Sequence, residues 1–484
     1  MTASTGRIAA TVGPRTRRIV YGCPTPEQVA DELRAITVID RAHLVMLAER
    51  KLIAADEAAA LLRHIDRLRA DGFGPLLELD TPRGLYLAYE EHLIAVLGID
   101  VGGRLHTGRS RNDLKATITA MQARTELHAL LAELIRLQSV LLGRARAHRD
   151  VVMPVHTHFQ AALPVTFGYY LTGLALAIGR DIRAVRQAAD ELRRCPMGSG
   201  AAAGSALPID PARVAALLGF DEPARHALDA VASRDVALRA LAAAAGAALT
   251  VSRLAADLQL WSTAEFGFVV FPDRLVGGSS AMPQKRNAFL LEHLKAKAGV
   301  VVGAYTAAAA ITRGTPFTNS IEVGTEAVAA TWPGLRAALD CAELAQSIVL
   351  GARPVPPRML AGAEHGFVGA TALANRLVAD GVPFRAAHHL VGDAVRRATG
   401  RGATRLSEQD LPAGLAGTGH SMAALVADQR YGGGPGDFDG GFTAAYEDLA
   451  EHTRWYATAR DRQRTAGREL TAAVSGIVER AGRR

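Results

Sequence analysis

The sequence predicts an all-α protein organised around a bundle of unusually long helices. Hydrophobic residues make up 49% of the 484 and aromatic residues only 5%. The difference is Ala, Leu and Val, and that composition favours helix over strand. Between Asp113 and His148 the apolar residues Ile118, Met121, Leu127, Leu131, Leu134, Leu137 and Leu141 fall mostly three or four apart, the period of one helix face. No alternating apolar–polar block is long enough to suggest a sheet.

In chain order, residues 1–20 read as disordered. Pro24-Thr25-Pro26-Glu27 opens a helical stretch that runs, with breaks, to about Leu97. Gly102-Gly103 punctuates it. The long helix follows, from near Asp113 to about His148. Met153-Pro154 and Pro164 mark a loop, and Val165 to about Arg194 reads as the next helix. Gly198 to Gly204 is a small-residue loop. Further helices are expected from about Ser233 to Phe266, near 288–312 and near 325–350. Beyond Pro354 the predicted helices are shorter, and 432–441 reads as a glycine-rich loop. This gives three helical domains: 1–112, a central long-helix bundle at 113–353, and 354–484. Long helices with Ala/Leu faces commonly associate between subunits.

The net charge of +7, from 55 basic and 48 acidic residues, is mild for this length. The arginines are scattered and no aromatic residues interleave with them, so a nucleic-acid partner is not expected. A basic pocket for a small polyanion is. Cys23, Cys195 and Cys341 lie too far apart for a metal or disulfide pattern, which fits a reducing cytoplasm. The first residues lack the apolar core of a signal peptide. The most apolar windows, such as Arg239 to Asp257, carry charges, so no membrane association is expected. No metal or cofactor is implied.

Three polar clusters stand out from the apolar background. They are Leu105 through Asp113, Thr157-His158-Phe159-Gln160, and Gly277 through Asn287. Each lies near a predicted helix start, where unpaired N–H groups receive anions. Taken singly, they read as a capped basic turn, a core histidine and a surface turn. In the third, a hydroxyl beside an ammonium has a route to a lowered pKa, and Asn287 is placed as the N-cap of the next helix.

Together these segments resemble argininosuccinate lyase, of the aspartase/fumarase superfamily, over nearly all of the chain after about residue 33. The family's Ser-Arg-Asn-Asp is matched by Ser110-Arg111-Asn112-Asp113, and its Thr-His-x-Gln by Thr157 to Gln160. Its loop Gly-Ser-Ser-x-Met-Pro-x-Lys-x-Asn is matched by Gly278 to Asn287. Gly366-Phe367, Ala370-Thr371 and Gly381-Val382-Pro383-Phe384-Arg385 add resemblance to the lyase branch.

The resemblance implies a homotetramer with each site built by three protomers, a dicarboxylate substrate, and elimination that releases fumarate. It marks Ser279 as the base, with Lys285 and Asn287 on the carboxylate where charge develops. Asn112 and Thr157 would hold the succinyl half, and Arg111 would order that site. His158 pairs in the family with a glutamate, here Glu292. Which group protonates the leaving group stays open. Ser110, Gln160, Arg234, Ser280 and Met282 are further expected substrate contacts.

The chain also departs from the family pattern. The family's tyrosine, glutamine and lysine contacts are replaced by Asn319, Gly324 and Ala327. An Arg and a Gln after Thr-His-x-Gln become Ala161 and Leu163, and an upstream Asp-x-His becomes Gly84 and Tyr86. The fumarate chemistry is kept and several contacts to the amino-acid half are lost. The expected activity is therefore elimination from another N-substituted aspartate or 2-substituted succinate, in specialised biosynthesis. The alternatives are argininosuccinate lyase itself, aspartase-like deamination, and a non-catalytic crystallin-like protein.

Overall fold

The computed structural model describes residues 10–81, 83–411 and 421–483. After α1 (Pro14–Tyr21), α2 (Pro26–Glu49) starts at a capping box. Gln28 N donates to Thr25 Oγ1 at 3.3 Å, and Thr25 N donates to Gln28 Oε1 at 2.8 Å, with Pro26 pre-set for the first turn. Next come α3 (Ala55–Ala70), α4 (Leu85–Leu97), the short α5 (Ile99–Gly102) and then α6 (Arg111–Ala147). Ser110 and Asp113 form the capping box of α6.

α6 is followed by a β-hairpin, β1 (Val152–Thr157) and β2 (Gln160–Thr166), and then by α7 (Phe167–Asp190). The short α8 (Pro211–Leu217) and α9 (Ala227–Ala232) lead to α10 (Asp235–Trp261), α11 (Phe289–Thr312) and α12 (Thr331–Gly351). The chain closes with α13 (Pro356–Glu364), α14 (Ala370–Ala379), α15 (Phe384–Gly400), α16 (Met422–Asp428) and α17 (Phe438–Gly482).

α6, α7, α10, α11 and α12 pack side by side as the central bundle. Leu127, Leu131, Leu134 and Leu141 of α6 are buried, each worth about 1.5–3 kcal/mol over exposure. Ala240, Ala244, Ala247 and Ala255 make the buried face of α10 thin enough for close approach. A small second core of Ala374, Leu377, Ala387 and Val391 holds α14 and α15 together.

The two ends of the bundle can be told apart by contacts. At one end, Gly198 N and Gly200 N donate to Asp113 Oδ2 at 3.1 and 2.9 Å, and Arg234 Nη2 donates to Asn112 O at 3.3 Å. The start of α6, the end of α7 and the start of α10 therefore meet there. At the other end, Phe167 N donates to Val151 O at 2.8 Å, and Trp261 packs on Tyr170 with ring centroids 4.8 Å apart. Gln259 of α10 also reaches Glu292 of α11 at 3.5 Å at that end. The 27 residues of α10 span about 40 Å between the ends.

Several expectations are corrected. Residues 14–21 are helical, where disorder was expected; that expectation for residues 1–9 falls outside the described residues. The segment around Met153, Pro154 and Pro164 is a hairpin, in which Pro154 pairs with Pro164. The expected run of shorter C-terminal helices ends in α17, at 45 residues the longest described, and α17 absorbs Gly440 and Gly441 from the expected loop. α5 ends at Gly102, as the Gly102-Gly103 punctuation predicts, and Gly102 also serves packing, because a Cβ there would meet the Ile94 backbone at 2.6 Å. The helix expected near 325–350 starts at Thr331, after a π-helical turn at Glu322–Ala327.

Candidate active site

The first cluster sits at the α6 end of the bundle. Ser110 Oγ accepts from Asn112 N at 3.2 Å, so the hydroxyl is occupied as a cap. Asn112 Nδ2 donates to Ala201 O at 3.0 Å, which ties it to the small-residue loop. Arg111 is exposed. Arg234 is 7% exposed and adopts a left-handed φ of 46°. Among the described residues its Nη1 and Nη2 reach only backbone carbonyls, Ala230 O at 3.4 Å and Asn112 O at 3.3 Å. Burial without a counter-charge pushes its pKa down to about 10. Gly324 lies alongside: a Cβ there would stand 3.5 Å from Asn319 Oδ1 and 3.9 Å from Arg234 Nε.

The second cluster is the tip of the hairpin. Thr157 pairs with Gln160, leaving His158 and Phe159 as a two-residue turn with φ of 49° and 61°. Two successive positive φ values are the signature of a type I′ turn, which normally selects Asn and Gly. Non-glycine residues held there are a mark of functional sites. All four side chains are exposed, and Phe159 is 87% exposed. His158 is therefore not a core histidine, and its ring makes no hydrogen bond among the described residues.

The third cluster lies at the same end of the bundle as the hairpin. Gly277 and Asn287 exchange two backbone hydrogen bonds of 2.8 Å, which pinch the loop at its stem. Arg286 braces the stem through Asp273 Oδ1 at 2.5 Å and Phe271 O at 2.9 Å. Ser279 Oγ accepts from Ala281 N at 3.3 Å and from Met282 N at 3.1 Å. Two N–H dipoles aimed at one oxygen favour its anionic form. Ser280, Met282 and Lys285 are exposed, and Lys285 has no ion-pair partner among the described residues. Asn287 is not the helix N-cap: Ala288 takes that position, and Asn287 Nδ2 donates to Gly278 O at 3.3 Å. Glu292, exposed on the first turn of α11, accepts from Gln259 and does not touch His158 within the chain.

Ser110, Arg111, Asn112 and Arg234 are thus brought together, with Asn319 and Gly324 beside them. Thr157 to Gln160, the 277–287 loop and Glu292 lie at the opposite end, about 40 Å away by the length of α10.

A buried network beside the first cluster was not foreseen. Arg109 Nη1 donates to Asp40 Oδ1 at 2.7 Å, its Nη2 donates to Tyr86 Oη at 2.8 Å, and Tyr89 donates to Asp40 Oδ2 at 2.9 Å. The available signal was Asp40 itself, a lone acid on the face carrying Leu33, Ile36 and Leu47. Among the described residues no group of three His, Cys, Asp or Glu side chains could hold a metal ion.

The family model described as Lyase matches residues 33–303, and the model for the argininosuccinate lyase C-terminal region matches residues 367–413. The chain is 40% identical over 364 residues to argininosuccinate lyase of Methanoculleus marisnigri, covering 75% of this chain and 74% of that one. It is 38% identical over 379 residues to that of Thermus thermophilus, covering 77% and 82%. An EDDS lyase structure in complex with formate superposes with a TM-score of 0.84 at 25% identity, over 97% of this chain and 99% of that one. A class II fumarase from Schistosoma mansoni shares the fold, with a TM-score of 0.64 at 14% identity over 78% and 85% of the two chains. On this evidence the chain belongs to the argininosuccinate lyase family and is a carbon–nitrogen lyase of the aspartase/fumarase superfamily.

Proposed function

We propose that this lyase releases fumarate from an N-substituted aspartate, or another 2-substituted succinate, that is not argininosuccinate. Ser279 takes the proton from the carbon beside a carboxylate. Lys285 and Asn287 stabilise the aci-carboxylate dianion that forms. The C–N bond then breaks, and the leaving amine acquires a proton. Asn112 and Thr157 hold the succinyl half, and the His158–Glu292 pair forms between subunits.

The observation that carries this reading is the separation of the clusters. Asn112 stands at one end of the bundle and Ser279 and His158 at the other, with the hairpin tip and Lys285 exposed and uncommitted. A site drawing on all three needs neighbouring chains laid alongside. Exposed Leu249, Val300, Val302, Tyr305 and Leu350 on α10, α11 and α12 supply an apolar face for that contact. We read the assembly as a cytoplasmic homotetramer with three chains per site. α10 and α11 have the length and mean hydropathy of membrane spans, 1.4 and 1.3. They also carry Asp257 and Lys295, and they pack on each other and on α12, which supports bundle helices instead.

The substrate argument rests on what lines the site. Asn319, Gly324 and Ala327 offer short contacts or none, and Ala161 and Leu163 are β2 residues with no polar side-chain atom. Each buried polar group left unpaired costs about 1–3 kcal/mol, so several losses amount to orders of magnitude in specificity. The sequence identity to argininosuccinate lyases favours the second reading, ordinary argininosuccinate cleavage. Fumarate absorbance with argininosuccinate as substrate decides between them. Negligible cleavage is expected, together with addition products when a panel of amines is incubated with fumarate and read by mass. Turnover of argininosuccinate near the enzyme median of about ten per second would establish the second reading.

A further inference from the structure

We infer that His106 is a further substrate-binding residue, whose Nε2–H donates to a carboxylate of the succinyl half. The inference rests on the placement of that half beside Arg111 and Asn112 proposed above. His106 stands four residues before Ser110, and its side chain is 37% exposed. Its Nδ1 lies 2.9 Å from Tyr86 Oη, and its Nε2 has no partner among the described residues and is not buried.

The direction of the Tyr86 bond follows from the groups around it. Tyr86 is 6% exposed, and its oxygen already accepts from Arg109 Nη2 at 2.8 Å. Arg109 can only donate, and Asp40 at 2.7 Å holds its charge in place. The phenol proton therefore has one acceptor within reach among the described residues, Nδ1 of His106. Glu90 Oε1, the other group facing that nitrogen, is 3.7 Å away, beyond hydrogen-bond distance. With Nδ1 accepting, the ring proton resides on Nε2, the exposed nitrogen.

Burial, followed by the charges of Arg109 and Arg111, pushes the ring pKa down to about 4. The ring therefore stays a neutral donor at neutral pH. Arg111, exposed and without a side-chain hydrogen bond among the described residues, supplies the cationic partner. Arg111 is near enough for its charge to bear on the ring, and an N–H with a guanidinium nearby suits a carboxylate.

Two variants of the full-length protein test this. His106→Gln keeps an N–H near the Nε2 position, whereas His106→Phe keeps the ring bulk and loses the donor. The probe is succinate, an unreactive dicarboxylate, followed by calorimetry. His106→Gln should bind close to wild type, and His106→Phe about 10- to 100-fold more weakly, the range for a hydrogen bond to a charged group. Nitrogen-15 NMR of histidine-labelled protein, with His106 assigned from the variant, should show the Nε2–H tautomer without any ligand. It should remain so between about pH 5.5 and 8, where an unperturbed histidine titrates. An Nδ1–H tautomer overturns the inference. So does an unchanged affinity in His106→Phe, or equal losses in both variants. If wild type binds succinate and His106→Phe binds it equally, only the role of His106 falls. If wild type does not bind succinate, the placement of the succinyl half beside Arg111 and Asn112 falls with it.

Discussion

Ser279, the proposed base, contributes little to the fold around it. Among the described residues its hydroxyl is held by two N–H groups of its own loop. Ser279→Ala should leave the melting temperature unchanged and lower turnover about 10²–10⁴-fold, the scale of a positioned proton acceptor. Near-normal turnover with the true substrate would remove the assignment. Lys285→Met should lower kcat more than it raises KM, because the charge it meets is largest in the transition state; a change confined to KM would reassign it to ground-state binding.

The histidines behave differently. Burial and Arg109 push His43 down to about 3, and burial with Arg124 and Arg460 pushes His128 down to about 4. Their folded-state pKa values lie below the unfolded value of about 6.5, so the unfolded chain binds protons that the folded chain refuses. Stability is therefore complete above about pH 6.5 and is lost as pH falls toward 4, by about 1.4 kcal/mol per pH unit for each histidine. Urea midpoints at pH 7.5 and 5 should show this, and His43→Gln should flatten the dependence.

Among the elements, the hairpin joins α6 to α7 and depends on one close approach. A Cβ at Gly168 would meet Ala145 O at 2.5 Å and Arg149 Cα at 2.7 Å. Gly168→Ala should cost about 1–3 kcal/mol through overpacking, seen as a lowered denaturation midpoint. An unchanged midpoint would show that the α6–hairpin–α7 junction yields. This hairpin is also what the sequence concealed. Pro154 and Pro164 look like loop residues, yet facing each other they forgo hydrogen bonds on a two-stranded ribbon that has edges to spare. The non-glycine turn at His158-Phe159 gave no Asn-Gly signal. The long helices were legible because their apolar period persists over many turns, as in α6, although its start lies at Arg111, behind the Ser110 cap, and not near Asp113. Asn287 misled because a side chain suited to capping was instead used to pin the loop stem to Gly278.

At the scale of the molecule, the polar clusters were legible in the sequence while their spacing was not: Asn112 and Ser279 lie at opposite ends of the bundle of one chain. Two inactive variants, Asn112→Ala and Ser279→Ala, should therefore recover activity when mixed and allowed to exchange subunits. Each hybrid assembly then holds some sites with both residues intact. No recovery under conditions where exchange is verified by mass would contradict shared sites. α17 carries a different consequence. Its last turns bury Leu470, Val474 and Ile477 in the main core, and Arg63 of α3 bonds Val478 O at 3.4 Å. α2 and α3 are thus covered by a helix made much later, Arg63 and Val478 being 415 residues apart. At about 5–20 residues per second, they wait for tens of seconds with part of their apolar surface open. The region around α2 and α3 is complete only once α17 has been made, and in that interval it depends on whatever the cell provides to shield nascent protein.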